Sequence, residues 1–298
     1  MKPIVIVGPT GVGKTSLSIA LAKFFNGEVI NFDSTQVYKT LDIATAKVTE
    51  KEKENIIHHL IDIKDIDEEY TVFEFQKDCR NKIADITSRG KTPILVGGTG
   101  LYIKAVLYDY QFEDENNNNN FSKYSNEELY KKLLELDRNT SIHPNNRKRV
   151  ERAINYCLSN NKPFSEKKIT NKILIDSYVV GLTTTREILY DRINKRVDMM
   201  FKNGLLEEAK KIYDSNVRTK AIMTPIGYKE LFPYFDKIDT LENCTEKIKQ
   251  NSRRYAKRQY TWFNNQMDVE WFNVDFNNFD NTINEVVEYV KKDARIIP

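Results

Sequence analysis

No apolar run in this chain of 298 residues approaches the roughly 20 needed to span a bilayer, which argues against a membrane-crossing helix. Cysteine and histidine are scarce, at three each. Cys79, Cys157 and Cys244 are odd in number and far apart, so they suggest neither a disulfide framework nor a zinc site. His58, His59 and His143 also lack metal-ligand spacing. The first residues enter an apolar run at once, leaving no room for a signal peptide, and a cytoplasmic protein is expected. With 40% hydrophobic and 30% charged residues the composition is that of an ordinary globular protein, long enough for one large or two small domains.

What is present is a phosphate loop. Gly8-Pro9-Thr10-Gly11-Val12-Gly13-Lys14-Thr15 fits G-x-x-x-x-G-K-[ST] in full, directly after Ile4-Val5-Ile6-Val7 and before an amphipathic helical pattern. In that context backbone N–H groups close around phosphate oxygens, and the helix N-terminus adds partial positive charge. Lys14 would reach an outer phosphate and the Thr15 hydroxyl would face Mg²⁺. The alternative, a glycine-rich turn without a ligand, leaves the agreement of pattern, position and flanks unexplained. A di- or triphosphate ligand is expected.

Nucleotide hydrolases usually place a metal-binding aspartate at the end of a second strand. Pro93-Ile94-Leu95-Val96 runs instead into Gly97-Gly98-Thr99-Gly100, without a carboxylate. Leu60-Ile61-Asp62-Ile63 reads as a short alternating strand in which Asp62 is structural. Asp33, at the end of Glu28-Val29-Ile30-Asn31-Phe32, is the best-placed acid. Ligands of open α/β sheets bind at the carboxyl ends of the strands, so Asp33 and Thr99 should meet the phosphate loop. Asp33 would serve as general base or water-mediated metal ligand; a helix cap is its structural alternative.

Strands near 3–7, 28–32 and 93–97 alternate with helical patterns near 14–25 and 71–89, which predicts a doubly wound parallel sheet. Asp114–Asn120, with five consecutive asparagines, reads as an exposed loop. Residues 125–168 read as helical and basic. A strand returns at 177–182, then a helical stretch at 186–215, a strand at 269–272 and a tail helix at 282–292. The expected fold is α/β: a P-loop NTPase-like core with a parallel sheet flanked by helices, formed by 1–112 and 173–298, and a mainly helical insertion domain at 113–172.

The net charge of +3 is unevenly spread. Between His143 and Lys172 eight basic residues face only Glu151 and Glu166, so this stretch carries about +6 and the remainder about −3. Lys249, Arg253, Arg254, Lys257 and Arg258 form a second cluster without an acid. Helical spacing puts Arg254, Lys257 and Arg258 on one stripe and Tyr255, Gln259 and Trp262 on a packing face. Solvated helix faces would account for such runs, but two of them on a slightly acidic remainder favour a nucleic-acid partner.

An ordered set of motifs resembles the bacterial tRNA dimethylallyltransferases, which prenylate the adenosine next to the anticodon. It comprises Gly8–Thr15, Asp33-Ser34-Thr35-Gln36-Val37-Tyr38, Leu41–Lys47, His58–Asp62, Gly97–Tyr102, His143-Pro144-Asn145, Gly227-Tyr228-Lys229-Glu230 and Tyr255–Trp262. Departures are Ala44 for a usual glycine, Val48 for a common proline and Asn264 for a common arginine. The resemblance implies that the loop holds the pyrophosphate of dimethylallyl diphosphate with Mg²⁺, that Asp33 takes a hydrogen bond or proton from the adenine amine, and that Thr99 positions that amine. Arg196 matches a family arginine at the pyrophosphate, with a surface salt bridge as its alternative. The implied tRNA contacts are Asp33, Ser34, Thr35, Gln36 and Thr99, then Lys148-Arg149-Val150-Glu151-Arg152, Thr224-Pro225-Ile226-Gly227-Tyr228-Lys229 and Lys257-Arg258-Gln259-Tyr260-Thr261-Trp262-Phe263-Asn264. The anticodon stem-loop is the implied partner, and the family expectation is a monomer. A small-molecule kinase would instead bind nucleoside triphosphate without RNA, an adenylate isopentenyltransferase would have no use for the basic segments, and a non-catalytic RNA-binding module would leave the phosphate loop and Asp33 unexplained.

Overall fold

The computed structural model describes residues 2–110, 112, 119–166 and 172–294. Most of the expected asparagine-rich loop, and Lys167 and Lys168 of the basic segment, lie outside the described residues. The chain forms two compact units, one of residues 1–107 with 173–298 and one of residues 108–172. The larger begins with β1 (Ile4–Val7), α1 (Lys14–Phe24), β2 (Gly27–Asn31), α2 (Glu50–Lys53), β3 (His58–His59), α3 (Val72–Ser88), β4 (Thr92–Val96) and α4 (Gly100–Leu107). The smaller contains α5 (Asn126–Leu136) and α6 (Arg147–Asn160). The larger unit resumes with β5 (Tyr178–Thr183), α7 (Arg186–Lys202), α8 (Leu205–Asp214), α9 (Lys220–Met223), α10 (Phe232–Phe235), α11 (Leu241–Gln266), β6 (Glu270–Asn273) and α12 (Phe279–Ala294).

The six strands form one parallel sheet in the order β3-β2-β4-β1-β5-β6. Parallel sheets are covered on both faces, which is why β1 is an uninterrupted apolar run with all four residues buried. Ile4 and Ile6 pack in one core with Leu17 and Leu21 of α1, Ile193 of α7, and Val286 and Val287 of α12. After β1 the chain crosses towards β2, whereas after β5 it continues to β6 on the other side. That reversal opens a crevice at the carboxyl ends of the strands. The phosphate loop follows β1 and Asp33 follows β2, so parallel strand direction alone puts them on the same edge.

Away from this edge, Glu28 on β2 is 1% exposed. Its carboxylate accepts from Arg89 at 2.5 and 2.8 Å, Lys91 at 2.7 Å and His59 at 2.8 Å. Arg89 chiefly, then Lys91 and His59, hold the Glu28 carboxyl well below its usual range against the opposing effect of burial. In the smaller unit α5 opens with the capping box Ser125–Glu128, and Leu129 and Leu133 pack on Val150, Ala153 and Ile154 of α6.

Two elements differ from expectation. The strand lies at His58–His59, not at Leu60–Ile63, because Leu60 (φ 60°) and Asp62 (φ 56°) are left-handed and break an extended run. Asp62 is structural, pairing with Lys47 at 2.5 Å. The helical stretch 186–215 is two helices, divided at Gly204 with φ 99°.

Candidate active site

The phosphate loop leaves β1 at Gly8, where φ is 138° and a Cβ would stand 2.7 Å from the Leu182 carbonyl oxygen; only glycine fits there. Lys14 opens α1 and turns back to donate to the Gly8 and Pro9 carbonyls at 2.9 and 2.8 Å. Its side chain is half-buried by area, yet its ammonium is enclosed. Burial first, and the Arg196 charge second, bring the Lys14 ammonium down to about 7, with Asp33 opposing them. Two distant helices brace the loop. Arg192 of α7 donates from Nε to the Gly11 carbonyl at 3.0 Å and stacks 3.9 Å above the Phe276 ring. Gln259 of α11 accepts from the Thr10 N–H at 2.9 Å.

Asp33 heads the loop after β2. Its Oδ1 accepts from the Thr35 N–H at 2.9 Å and the Thr35 hydroxyl at 2.6 Å, while Oδ2 makes no hydrogen bond with the described residues. Asp33 therefore caps a turn with one oxygen and has the other free for a ligand. Arg196, one turn beyond Arg192, makes no ion pair among the described residues, so the surface salt-bridge alternative does not hold. Burial lowers its guanidinium pKa, and Asp33 and Glu52 oppose that.

Thr99 does not line the cavity. Its hydroxyl accepts from the Ser34 N–H at 3.1 Å, so it holds the residue after Asp33 from behind.

Two carboxylates to which the sequence analysis gave no role fix neighbouring loops. Glu208 of α8 accepts from the N–H groups of Asp42, Ile43 and Ala44 at 2.9 to 3.1 Å and from the Tyr228 hydroxyl at 2.7 Å. Glu230 accepts from the Gly227 N–H at 2.9 Å and from Asn251 of α11 at 3.0 Å. Gln36 donates to the Thr45 and Ala46 carbonyls at 3.0 and 3.3 Å. Ala44 in place of the usual glycine is accommodated because its φ is not left-handed.

Together these residues enclose a cavity of about 890 Å³ within the larger unit. Thr10, Gly11, Gly13, Lys14 and Thr15 line it with Asp33, Ser34, Thr35 and Gln36, and with Arg192, Arg196, Thr224, Pro225, Ile226, Lys229, Arg258 and Gln259. Cations outnumber acids on its wall, which suits a polyanion. The other expected RNA contacts divide by burial. Lys148, Arg149 and Arg152 lie exposed on α6, as do Lys257, Tyr260, Thr261 and Asn264 on α11. Val150, Tyr228 and Phe263 have buried side chains, so their expected RNA contact is withdrawn: Val150 packs against α5, Tyr228 binds Glu208 and Phe263 is 0% exposed. Glu151 pairs with Arg147 at 2.8 Å, and Lys249 and Arg253 of the C-terminal cluster bind Asp198 and Asn194.

A phosphate-loop sequence and a free carboxylate oxygen in one cationic cavity, at the carboxyl edge of a parallel sheet, define an α/β protein of the P-loop type. The sequence model of the IPP transferase family matches residues 36–266, and the chain belongs to that family. It is 49% identical to a tRNA dimethylallyltransferase of Anoxybacillus flavithermus over 97% of this chain and 96% of that one. It is 48% identical to the Bacillus subtilis tRNA dimethylallyltransferase over 91% and 90%. Among solved structures it is similar to a eukaryotic dimethylallyltransferase acting on tRNA, with TM-score 0.84 and 34% identity over 98% of this chain and 79% of that one. It is similar also to a tRNA isopentenylpyrophosphate transferase of Staphylococcus epidermidis, with TM-score 0.74 and 43% identity over 98% and 99%.

Proposed function

We propose that this chain transfers a dimethylallyl group from dimethylallyl diphosphate to the exocyclic amine of adenosine 37 in tRNAs reading codons that begin with U. The observation that carries the reading is that the phosphate loop, Arg196 and the free Oδ2 of Asp33 face one cavity. The amine nitrogen attacks the allylic carbon, the C–N bond forms, and the C–O bond breaks with its electron pair leaving on diphosphate. A neutral aromatic amine is a poor nucleophile, so Asp33 Oδ2 takes its hydrogen bond and then its proton. Growing negative charge on the leaving group meets the N–H groups of the phosphate loop, Lys14 and Arg196, all in place before reaction.

Mg²⁺ fits this cavity. The Thr15 hydroxyl lines it and makes no hydrogen bond with the described residues, and Mg²⁺ bound with phosphates needs only one or two protein oxygens. Bound there it would neutralise diphosphate charge. Among the described residues no group of three His, Cys, Asp or Glu could hold a metal alone, so the ion would come with the diphosphate.

The RNA partner is the anticodon stem-loop, whose unpaired bases can be splayed out and flipped into a pocket. Arg258, Lys229 and Thr224 stand at the cavity, and Lys148, Arg149 and Arg152 offer phosphate contacts. No helix of the described residues is long and apolar enough to cross a membrane. The reading places a monomer in the cytoplasm, where its tRNA is. The test is incubation with labelled dimethylallyl diphosphate, Mg²⁺ and unmodified tRNA, with AMP and ATP as parallel acceptors. Label in tRNA alone supports the proposal; label in free nucleotide, or in nothing, rejects it.

A further inference from the structure

Gln259 matched the family motif as an RNA contact, but its surroundings point elsewhere. It is 5% exposed in the middle of α11, and its amide joins the backbone on two sides of the cavity. Oε1 accepts from the Thr10 N–H at 2.9 Å, and Nε2 donates to the Gly98 carbonyl at 3.1 Å. The amide fits because residue 98 has no side chain; a Cβ there would lie 2.0 Å from Nε2. Gly98 leads directly into Thr99 on the turn after β4. Thr99 in turn holds the Ser34 N–H, next to Asp33. The Gln259 amide and the Thr99 hydroxyl, joined through the Gly98–Thr99 backbone, thus link the phosphate loop to the loop carrying Asp33.

We propose that Gln259 is a positioning residue that holds the phosphate loop in register with the Asp33 loop. It touches neither reacting atom. The inference rests on the proposed prenyl transfer, in which one loop holds the leaving diphosphate and the other the attacking amine. Relative misplacement of such groups by about 1 Å costs on the order of 100-fold in rate. No other side chain among those described bonds to both the phosphate loop and the turn after β4.

The test uses the full chain with Gln259→Leu, Gln259→Glu and Gly98→Ala. Gln259→Glu keeps the acceptor for Thr10 but sets a carboxylate oxygen against the Gly98 carbonyl. Gly98→Ala expels the amide from the opposite side. In each, kcat should fall roughly 10- to 100-fold and KM for dimethylallyl diphosphate should rise about tenfold, with tRNA affinity unchanged within about twofold. Combining Gln259→Leu with Gly98→Ala should add little to either alone, because both break the same contact. A merely structural role would lower the melting temperature and the active fraction while leaving KM and kcat of the folded protein intact, and that result overturns the proposal. So do fully additive losses. Should Gln259→Leu not fold, the two milder variants carry the same comparison. Calorimetric titration with inorganic diphosphate separates this inference from the reaction itself: weaker binding in the variants supports it even if the wild-type chain transfers no prenyl group, and equal binding counts against it.

Discussion

Lys14 and Asp33 face each other across the cavity with different tasks, and each makes a measurable demand. An ordinary lysine titrates near 10.5, but burial and Arg196 bring Lys14 down to about 7. Between those two values the folded protein is largely neutral at Lys14. A bound diphosphate favours the ammonium, so binding above pH 7 must take up a proton, and affinity falls as pH rises. Calorimetry at pH 8 in two buffers of different ionisation enthalpy should show proton uptake, and Lys14→Arg should lose it; uptake that persists in Lys14→Arg assigns the proton elsewhere. Asp33→Asn keeps the turn geometry but cannot accept the amine proton. Its kcat should fall by about 10²–10⁴ with tRNA affinity held, and unchanged turnover removes Asp33 from the chemistry. At this scale the sequence was readable where function is written in local spacing. The phosphate loop is eight adjacent residues, and Asp33 stands out because a strand ends at it. The partner of Thr10, by contrast, is 249 positions away, and nothing near Gln259 betrays that contact. Arg192 and Glu208 were missed for the same reason, since their partners include backbone groups of remote loops.

Among the elements, β2 carries a catalytic candidate past one end and a charged network within it. Replacing Glu28 by Gln strips Arg89 and Lys91 of their shared carboxylate. Loss of a partner from a fully buried pair costs 3–5 kcal/mol, but these two side chains are 39% and 33% exposed and regain water, so about 1–3 kcal/mol is expected. Because the Glu28 pKa is depressed on folding, its contribution is present above the unfolded value near 4.5 and drains away as pH falls below it. Urea unfolding at pH 7 and pH 3 should show a gap between wild type and Glu28→Gln that narrows in acid; a constant gap means the charge is not what stabilises. On α6, replacing Lys148, Arg149 and Arg152 with Ala should weaken tRNA binding and reduce its salt slope by about 0.7 per lost phosphate contact with single-stranded RNA. An unmoved slope removes these side chains from the RNA interface. Helices announced themselves by apolar spacing, and the structure adds caps such as Thr71–Glu74. β3 did not, because Leu60 and Asp62 alternate like a strand while adopting left-handed backbone that no residue pattern specified. Gly204 likewise ends α7 by a φ of 99°, a break that periodicity alone passes over.

For the whole molecule, alternation of apolar strands and amphipathic helices was enough to predict a parallel sheet, and the strand order adds the point where the connections leaving β1 and β5 turn to opposite sides. The crevice there turns a motif at residues 8–15 and an acid at residue 33 into one cavity. The central claim is that this cavity joins a diphosphate donor to a tRNA amine. The most direct measurement is a single-turnover reaction of the chain with dimethylallyl diphosphate and unmodified tRNA, followed by nucleoside mass spectrometry and quantification of released diphosphate. The account predicts one dimethylallyl group on the adenosine at position 37 for each diphosphate released, and no consumption of ATP. Diphosphate release without an adduct, an adduct on another nucleoside, or phosphate transfer from ATP would contradict it.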